Sequence, residues 1–549
     1  MAPHNINNLN LLMLLLLLPL LAINALFNDS FLSEAEAFEE SLLHQACFNI
    51  DEHEACMSRL KLAPERGDPR GPLPILHAAI RGTISDAVRT VTDISTLATH
   101  AMSPREEMAI DDCVELLGYS VDELEWSLAE MANIDIGVPS YGSRHDGNIR
   151  AWLSAALGNQ DTCLDGFDGT DGRVRRAVER RVAHVTQLVS NLLAMHKRLR
   201  SVILHVGLPK NVTEEGGAYG GLPTWMTPEE EVELARAGAK SMRVDAVVAA
   251  DGSGRFRTIS EALDEAPSYS TRRYVILVKR GEYKENVVLK KKKTNIVLVG
   301  EGMGLTVISG SRSFMAGWTT FRTATFAVSG SGFIARDITF RNTAGPQGGQ
   351  AVALRADADR SAFFRCSIEG YQDTLYSHSL RQFFRDCNIY GTVDFIFGNG
   401  LVVFQHCNIY PRRPFPNQKI TITAQGRKDP NQNTGFSIHN CFVNAAYPTY
   451  LGRPWKPYSR TIFMQSYLGP GVQPAGWLEW AGNVGLNTLF YGEYMNYGPG
   501  ASLNRRVRWP GYHIIRDAAV AGMFTVRRFI GGLSWLPGTG VLYTADLLK

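Results

Sequence analysis

The spacing of apolar positions divides the chain into two halves. From about residue 31 to 204 the apolar residues recur three and four positions apart, as at Val174, Val178 and Val182, which is typical of one helix face. The stretch "SPREEMAIDDCVELL" (103–117) begins with a capping box and a proline at the first helical position. The pattern predicts an all-α four-helix bundle over 31–204.

The second half, about 244–549, consists of short β-rich runs separated by Gly, Asn and Asp. The motif Cys-x-Ile-x-Gly-x-x-Asp at 366–373 recurs 21 positions later at 387–394, and Cys407-x-Ile409 begins a third copy. Repeats of this length that hold short strands predict an all-β right-handed parallel β-helix, in which each copy is one coil. A β-propeller would need a longer unit with four strands.

Stacked coils bring equivalent residues of the repeat together. Because neighbouring strands lie about 4.8 Å apart, Asp373 and Asp394 are expected one above the other, and Gln350 and Gln372 likewise. Two carboxyls at that distance cannot both ionise freely, so the pair divides into an acid and an anion. Arg453 is the candidate cation for the anion, and the Gln amides are candidate oxyanion donors. The set predicts an acyl-transfer site.

Net charge and the N-terminal sequence indicate which partners are excluded and where the protein is located. The formal net charge of +2 over 549 residues leaves no footprint for nucleic acid. The short apolar run Leu11–Ile23 predicts a signal peptide over 1–25, although the first ten residues lack Lys and Arg, which leaves an uncleaved anchor as an alternative. Glycosylation sequons at Asn28 and Asn211 suit a secretory route. The stretch 205–243, rich in Gly, Pro and Glu, predicts a linker.

The cysteines are also consistent with a secreted protein. Eight Cys fall into two sets of four, at 47, 56, 113 and 163 and at 366, 387, 407 and 441. With a signal peptide, disulfides are the default expectation, but the spacing alone does not settle which cysteines pair.

Five segments resemble the signature blocks of plant pectin methylesterases, in the same order. They are "GEYKENV" (281–287), "QAVALR" (350–355), "YQDTLY" (371–376), "GTVDFIFG" (391–398) and "LGRPW" (451–455). The first half is similar to the pectin methylesterase inhibitor domain that precedes many of these enzymes, most specifically in "LSAALGNQDTCLDGF" (153–167). The resemblance implies a secreted cell-wall pectinesterase without metal or cofactor. Its substrate would be methyl-esterified homogalacturonan, de-esterified to pectate and methanol.

The resemblance also implies residue roles. Asp394 would be the nucleophile that forms an acyl-enzyme, and Asp373 would protonate methanol and then activate water. Gln350 and Gln372 would hold the oxyanion, and Arg453 would fix Asp394. The implied substrate contacts are Thr320, Gln350, Tyr376, Phe397, Arg453 and Trp455.

Pairing and partners follow from the same resemblance. The implied disulfides are Cys387–Cys407, Cys47–Cys56 and Cys113–Cys163, with Cys366 and Cys441 unassigned. The helical half would act as an intramolecular inhibitor, and separate inhibitor proteins are further candidate partners. The usual Arg-Arg-Leu-Leu cleavage site is missing: the linker offers only "ELARAG" (233–238), with "KRLR" (197–200) upstream.

Two other readings remain open at this stage. Carboxyls about 5 Å apart also suit a retaining glycosidase, so another pectin-active β-helix enzyme, glycosidase or lyase, is one alternative. The other is a non-catalytic pectin-binding or inhibitor protein. Methanol release without chain shortening distinguishes the esterase from both.

Overall fold

A computed structural model describes residues 37, 40, 41, 43–48, 53–61, 72–132, 144–206 and 243–548. The expected signal peptide (1–25), the two sequons and most of the expected linker (205–243) lie outside these residues. In the ranges just given, no helix combines the length and the apolar character needed to cross a membrane.

The N-terminal domain is helical. Its helices are α1 His53–Lys61, α2 Pro72–Ser95, α3 Pro104–Ala132, α4 Arg144–Asp165 and α5 Arg173–Val206. Helix α3 packs against α2 and α4, and α5 packs against the same two helices. The predicted apolar face of α5 is confirmed, since Val178, Val182, Val185 and Val189 are fully buried.

Local signals in the sequence fix the ends of this domain's elements. Helix α3 begins at Pro104, and the Ser103 hydroxyl accepts the N–H of Glu106 at 3.2 Å. The Glu106 carboxylate accepts the N–H of Met102 at 2.9 Å, one residue earlier than in a standard capping box.

Two disulfides brace the domain, Cys47–Cys56 and Cys113–Cys163, as the resemblance implied.

The second domain is a parallel β-helix of three sheets, with 11, 7 and 8 strands, and most central coils contribute one strand to each sheet. The first sheet holds β1 Ala246–Val248, β2 Tyr274–Val278, β5 Ile296–Val299, β8 Ile334–Arg336, β11 Ser361–Phe364, β14 Arg381–Arg385, β17 Leu401–Gln405, β20 Gly435–His439, β23 Arg460–Met464, β25 Phe490–Tyr494 and β26 Tyr512–Ile514. The second holds β4 Val287–Leu289, β7 Phe326–Val328, β10 Leu354–Ala356, β13 Leu375–Ser377, β16 Ile396–Gly398, β19 Ile420–Gln425 and β22 Thr449–Gly452. The third holds β3 Gly281–Lys284, β6 Thr306–Gly310, β9 Thr339–Asn342, β12 Ser367–Glu369, β15 Asn388–Gly391, β18 Asn408–Pro411, β21 Phe442–Val443 and β24 Tyr467–Leu468.

The strand register confirms the repeat read from the sequence. Leu375 of β13 pairs with Ile396 of β16, a shift of 21, and Asn388 of β15 pairs with Asn408 of β18, a shift of 20. Because the pairing is in register, identical side chains stack along the core. The Phe384 ring lies between two other rings, with centroids 4.5 Å and 4.9 Å away.

One expected disulfide is wrong. Cys366, Cys387, Cys407 and Cys441 are all free, buried thiols. Each directly precedes a strand of the third sheet and points into the core, so neighbouring Cβ atoms are held apart at the strand spacing, about 4.8 Å. A disulfide needs Cβ atoms about 3.8 Å apart on converging bonds. The Cys387 thiol instead lies 3.4 Å from the Phe363 carbonyl and 3.3 Å from the Arg385 carbonyl.

Three further parts of the chain pack against the strands of the β-helix. The helix α6 Ile259–Glu265 packs against β1 and β4. The C-terminal helices α7 Ala518–Gly522 and α8 Val526–Phe529 belong to the segment that packs on the outer face of the first sheet. The helical domain packs on the outer face of the second sheet, through a shared apolar core. That core includes Leu116, Leu117, Phe167, Val178, Phe321, Val352, Tyr376 and Phe397.

The stacked aromatic column makes a stability prediction. Replacing Phe384 with Ala removes a fully buried ring from between two others, and we expect the chain to lose about 3 to 5 kcal/mol of unfolding free energy. Denaturant unfolding followed by fluorescence measures this loss. Phe415→Ala is the matched control, because that ring is 47% exposed and its loss should cost well under a third as much. Equal costs would contradict the stacked-core description.

Candidate active site

Asp373 and Asp394 occupy equivalent turns between the third and second sheets. Both have left-handed backbone conformations, with φ of 58° and 50°, which Asp tolerates better than most residues. The Asp373 N–H donates to the Val393 carbonyl at 3.0 Å, so the two turns lie on directly neighbouring coils. The register of the following strands continues the same shift of 21.

The Asp394 carboxylate is held by two side chains from later coils. Arg453 donates to it through Nε at 2.8 Å and through Nη2 at 2.6 Å, in a bidentate pair. The Thr421 hydroxyl donates to Oδ1 at 2.6 Å and also accepts the Asp394 N–H at 2.9 Å. These charge-assisted bonds favour the ionised carboxylate.

Asp373 is in the opposite electrostatic state. Burial raises its pKa well above the usual value, and the neighbouring charge of Asp394 raises it further, against an opposing effect of Arg453. Its carboxyl makes no hydrogen bond to the described residues. Burial next to the Arg453-bound carboxylate of Asp394 therefore favours the protonated form of Asp373.

One of the two predicted amide donors, Gln372, directly precedes Asp373 in the chain. The Ala351 N–H donates to the Gln372 carbonyl at 3.2 Å, so Gln350 and Gln372 are on neighbouring coils, as the spacing predicted. Both residues are half-buried. Neither side-chain amide has a hydrogen-bond partner within the described ranges, so both are available to a ligand.

The predicted aromatic contacts form a floor on the outer face of the second sheet. Tyr376 and Phe397 stack with centroids 4.1 Å apart, and the Trp455 ring lies 5.9 Å from that of Phe397. The helical domain covers this floor. Thr162 of α4 shares a 3.3 Å hydrogen bond with the Tyr376 hydroxyl and a 2.9 Å one with His378.

Thr320, the remaining predicted contact, is half-buried at the start of the short helix Thr320–Thr323. The preceding Thr319 donates to the buried carboxylate of Asp112 in α3 at 2.6 Å, and Arg322 is ion-paired with the same carboxylate. Thr320 therefore lies at the edge of the surface that the helical domain covers.

Sequence reasoning missed Thr421 and Trp480. The third copy of the repeat lacks its Asp, but β16 pairs with β19 at a shift of 27, which places Thr421 beside Asp394. Trp480 is 38% exposed, and the Arg453 guanidinium lies 4.3 Å from its ring centroid. The repeat of 20 or 21 residues does not reach Thr421, because this coil is longer, and no sequence signal linked Trp480 to Arg453.

Two family matches identify the family to which the chain with this site belongs. Residues 245–533 match the Pectinesterase family, and residues 41–195 match the family of plant invertase/pectin methylesterase inhibitors. The chain belongs to the pectinesterase family. The resemblance inferred from the motifs is confirmed for both halves, and a pectinesterase of this type carries its inhibitor-like domain on the same chain.

Individual relatives agree. The chain is 51% identical to the pectinesterase/pectinesterase inhibitor PPE8B of Prunus persica, over 85% of this chain and 88% of that one. It is 44% identical to a pectinesterase/pectinesterase inhibitor of Ficus pumila var. awkeotsang, over 93% and 92%. The solved pectin methylesterase from carrot is 52% identical with a TM-score of 0.55, and covers 56% of this chain and 99% of its own.

The carrot match also bears on how the domains fold. The match covers 56% of this chain and 99% of the carrot protein, and the β-helix makes up about the same share of this chain. The interior of the β-helix is filled by an apolar core that contains no residue of the helical domain, and the core shared by the two domains lies on its outer face. We therefore expect residues 244–549 to fold without the helical domain.

The raised pKa of Asp373 predicts a pH-dependent stability effect. Above about pH 4 an unfolded Asp loses its proton while folded Asp373 keeps it, so this residue progressively destabilises the fold up to its raised pKa. Asp373→Asn removes that penalty. We expect the variant to unfold at a higher temperature than the wild type at pH 7, with little difference near pH 4. Thermal unfolding at the two pH values measures this.

Asp394→Asn serves as the contrasting variant. It breaks the bidentate contact with Arg453, so it should lower the unfolding temperature at pH 7. If both Asn variants shift the midpoint in the same direction at pH 7, the division into acid and anion is wrong.

Proposed function

We propose that the chain is a carboxylic ester hydrolase that removes methyl groups from methyl-esterified homogalacturonan, releasing methanol and leaving pectate. One observation carries this proposal: an anion, Asp394, fixed by Arg453 and Thr421, lies beside a protonated acid, Asp373. A nucleophile and a proton donor on neighbouring coils supply both partners that ester cleavage needs.

In the first step an Asp394 oxygen attacks the ester carbonyl carbon. The bond from that carbon to the methoxy oxygen breaks, and Asp373 gives its proton to the departing oxygen, which leaves as methanol. The product is an anhydride between Asp394 and the galacturonate unit. Gln350 and Gln372 donate their amide hydrogens to the oxyanion that develops during the attack.

In the second step Asp373, now ionised, takes a proton from water. The resulting hydroxide attacks the galacturonate carbonyl of the anhydride, and the bond to Asp394 breaks. Asp394 returns as a carboxylate and Asp373 is again protonated. Arg453 keeps Asp394 in place throughout, because its bidentate contact restricts the carboxylate to one orientation.

The aromatic floor is the proposed surface for the sugar chain. Tyr376, Phe397 and Trp455 offer ring faces to pyranose units, with Thr320 at the margin and no metal or cofactor required. Such a substrate places the enzyme outside the cell, in the cell wall, with neither nucleic acid nor membrane as partner.

We further propose that the helical domain inhibits the uncleaved chain, and that separate inhibitor proteins of the same type bind the same face. The basis is its position over the floor, where Tyr376 and Phe397 are only 3% and 4% exposed. Since the two domains share one chain, docking needs little intrinsic affinity.

The nucleophile is tested by Asp394→Asn in residues 244–549. The amide is nearly isosteric but is a poor nucleophile, so we expect methanol release to fall at least about 1,000-fold, or about 4 kcal/mol in the barrier. Circular dichroism checks that the variant is folded. A rate above about a tenth of the wild type would exclude the nucleophilic role. Any new reducing ends formed by the wild type would favour a glycosidase or lyase instead.

Inhibition is tested by weakening the domain contact away from the floor. Lys291 contacts the Tyr119 carbonyl at 3.1 Å and is ion-paired with Glu123 at 3.4 Å. We expect Lys291→Glu to raise methanol release from the intact chain several-fold, toward that of residues 244–549 alone. Lys292→Glu is the matched control, since Lys292 is exposed, and it should have no such effect.

If the intact, uncut wild-type chain and residues 244–549 release methanol at the same rate per molecule, the inhibitory role is wrong. The linker is verified as uncut by gel electrophoresis in each assay.

A further inference from the structure

Three guanidinium groups meet at the loop 426–434 between β19 and β20, where this loop touches helix α4. Arg427 and Arg460 donate through Nε to backbone carbonyls, at 2.9 Å and 2.7 Å, and Arg150 of α4 donates through Nη2 to a side-chain oxygen at 2.9 Å. The acceptors belong to consecutive residues, namely Gln432 for Arg427, Asn433 for Arg150 and Thr434 for Arg460. Consecutive Cα atoms are about 3.8 Å apart, so the three positive charges lie close together at the domain boundary.

The cluster of three arginines has too little negative charge around it. Arg427 and Arg460 bond to carbonyl oxygens and to no carboxylate in the part of the chain that the structure describes. The carboxylate of the loop, Asp429, accepts from the Ser190 hydroxyl at 2.6 Å instead. Burial and the charge of Arg150 lower the pKa of Arg427 to about 10, against the opposing charge of Asp429. Burial and the two neighbouring guanidinium groups lower the pKa of Arg460 well below its usual value. Positive charge is therefore in excess.

One donor of the cluster is buried and unused. Nη2 of Arg460 has no hydrogen-bond partner among the described residues. Arg427, by contrast, uses its three nitrogens on backbone carbonyls and so contributes mainly charge. The carboxylate of Asp146 lies 3.5 Å from Arg150 and 3.3 Å from Arg200, so one anion is shared between two cations. A buried donor without an acceptor costs free energy unless a ligand satisfies it.

The neighbouring side chains compensate this charge only in part. The Phe529 ring of α8 has its centroid 5.2 Å from the Arg460 guanidinium, but a ring face carries no net negative charge. The loop is nevertheless docked on α4. Gln432 donates through Nε2 to the Ser154 carbonyl at 3.0 Å, and the Ser154 hydroxyl accepts the Asn433 N–H at 2.8 Å. These contacts keep the like charges together, and a negative charge between them would remove their repulsion.

We propose that Arg150, Arg427 and Arg460 form a binding site for one small inorganic anion, such as phosphate or chloride, at the boundary between the two domains. Arg460 donates to the anion through Nη2, Arg150 approaches it from α4, and Arg427 adds the third positive charge. Guanidinium groups suit this task because they stay charged and present several donors in one plane. Since the arginines come from both domains, a bound anion links α4 to the loop 426–434.

Binding is measured on the intact chain by titration calorimetry with sodium phosphate and, separately, with sodium chloride, in a buffer whose own anion is bulky. We expect one anion per chain for at least one of the two probes. In Arg460→Gln we expect binding at least about tenfold weaker, because a charge-assisted hydrogen bond is lost. Arg150→Gln should weaken binding similarly, and it tests the site from the helical domain if Arg460→Gln does not fold. Circular dichroism checks the fold of both variants.

Arg180→Gln is the matched control, because it removes an equal charge from an exposed position on α5 and should bind like the wild type. Thermal unfolding gives a second measurement. The probe that binds should raise the unfolding midpoint of the wild type and of Arg180→Gln by several degrees, and that of Arg460→Gln or Arg150→Gln by less than half as much.

Three results would overturn the anion site. They are the absence of binding for both probes in the wild-type chain, unchanged binding in both cluster variants, and an equal rise of the midpoint in every variant, which would indicate a general effect of ionic strength. Neither measurement involves methanol release, so the outcome does not depend on the proposed function.

Discussion

In-register stacking of successive coils is the constraint on which the rest of the structure depends. A shift of 21 places Ile396 on Leu375, and the same shift places Asp394 on Asp373 two residues earlier. The pairing that builds the core therefore also brings the two Asp residues onto neighbouring coils. It also explains the free thiols, since strand spacing holds Cys387 and Cys407 too far apart to be bridged.

Stacking alone would make the two carboxyls equivalent, and the asymmetry comes from residues outside the repeat. Arg453 and Thr421 reach Asp394 and not Asp373, so one carboxyl is stabilised as an anion while the other is left in a poorly solvated position. A charge that close makes ionisation of Asp373 costly. The different environments of Asp394 and Asp373 are therefore set by two side chains that occupy later coils.

Burial and partial compensation by a basic residue also occur where the helical domain contacts the β-helix. Its interface carboxyls, Asp112 and Glu123, have raised pKa values because of burial, and each is partly compensated by a basic residue of the β-helix, Arg322 or Lys291. Together with the shared apolar core, these pairs hold the domain over the aromatic floor. In the proposed function, the covered rings are the ones that would contact the sugar chain.

The sequence by itself determined the two folds, the coil repeat and the identity of the paired carboxyls, because periodicity and register are local properties of the chain. Contacts between residues far apart in sequence could not be predicted in this way. The contact of Trp480 with Arg453, the position of Thr421 and the coverage of Tyr376 by Thr162 all depend on how distant segments pack. The tertiary structure alone decided these contacts, since the free energy of packing depends on geometry that no local pattern encodes.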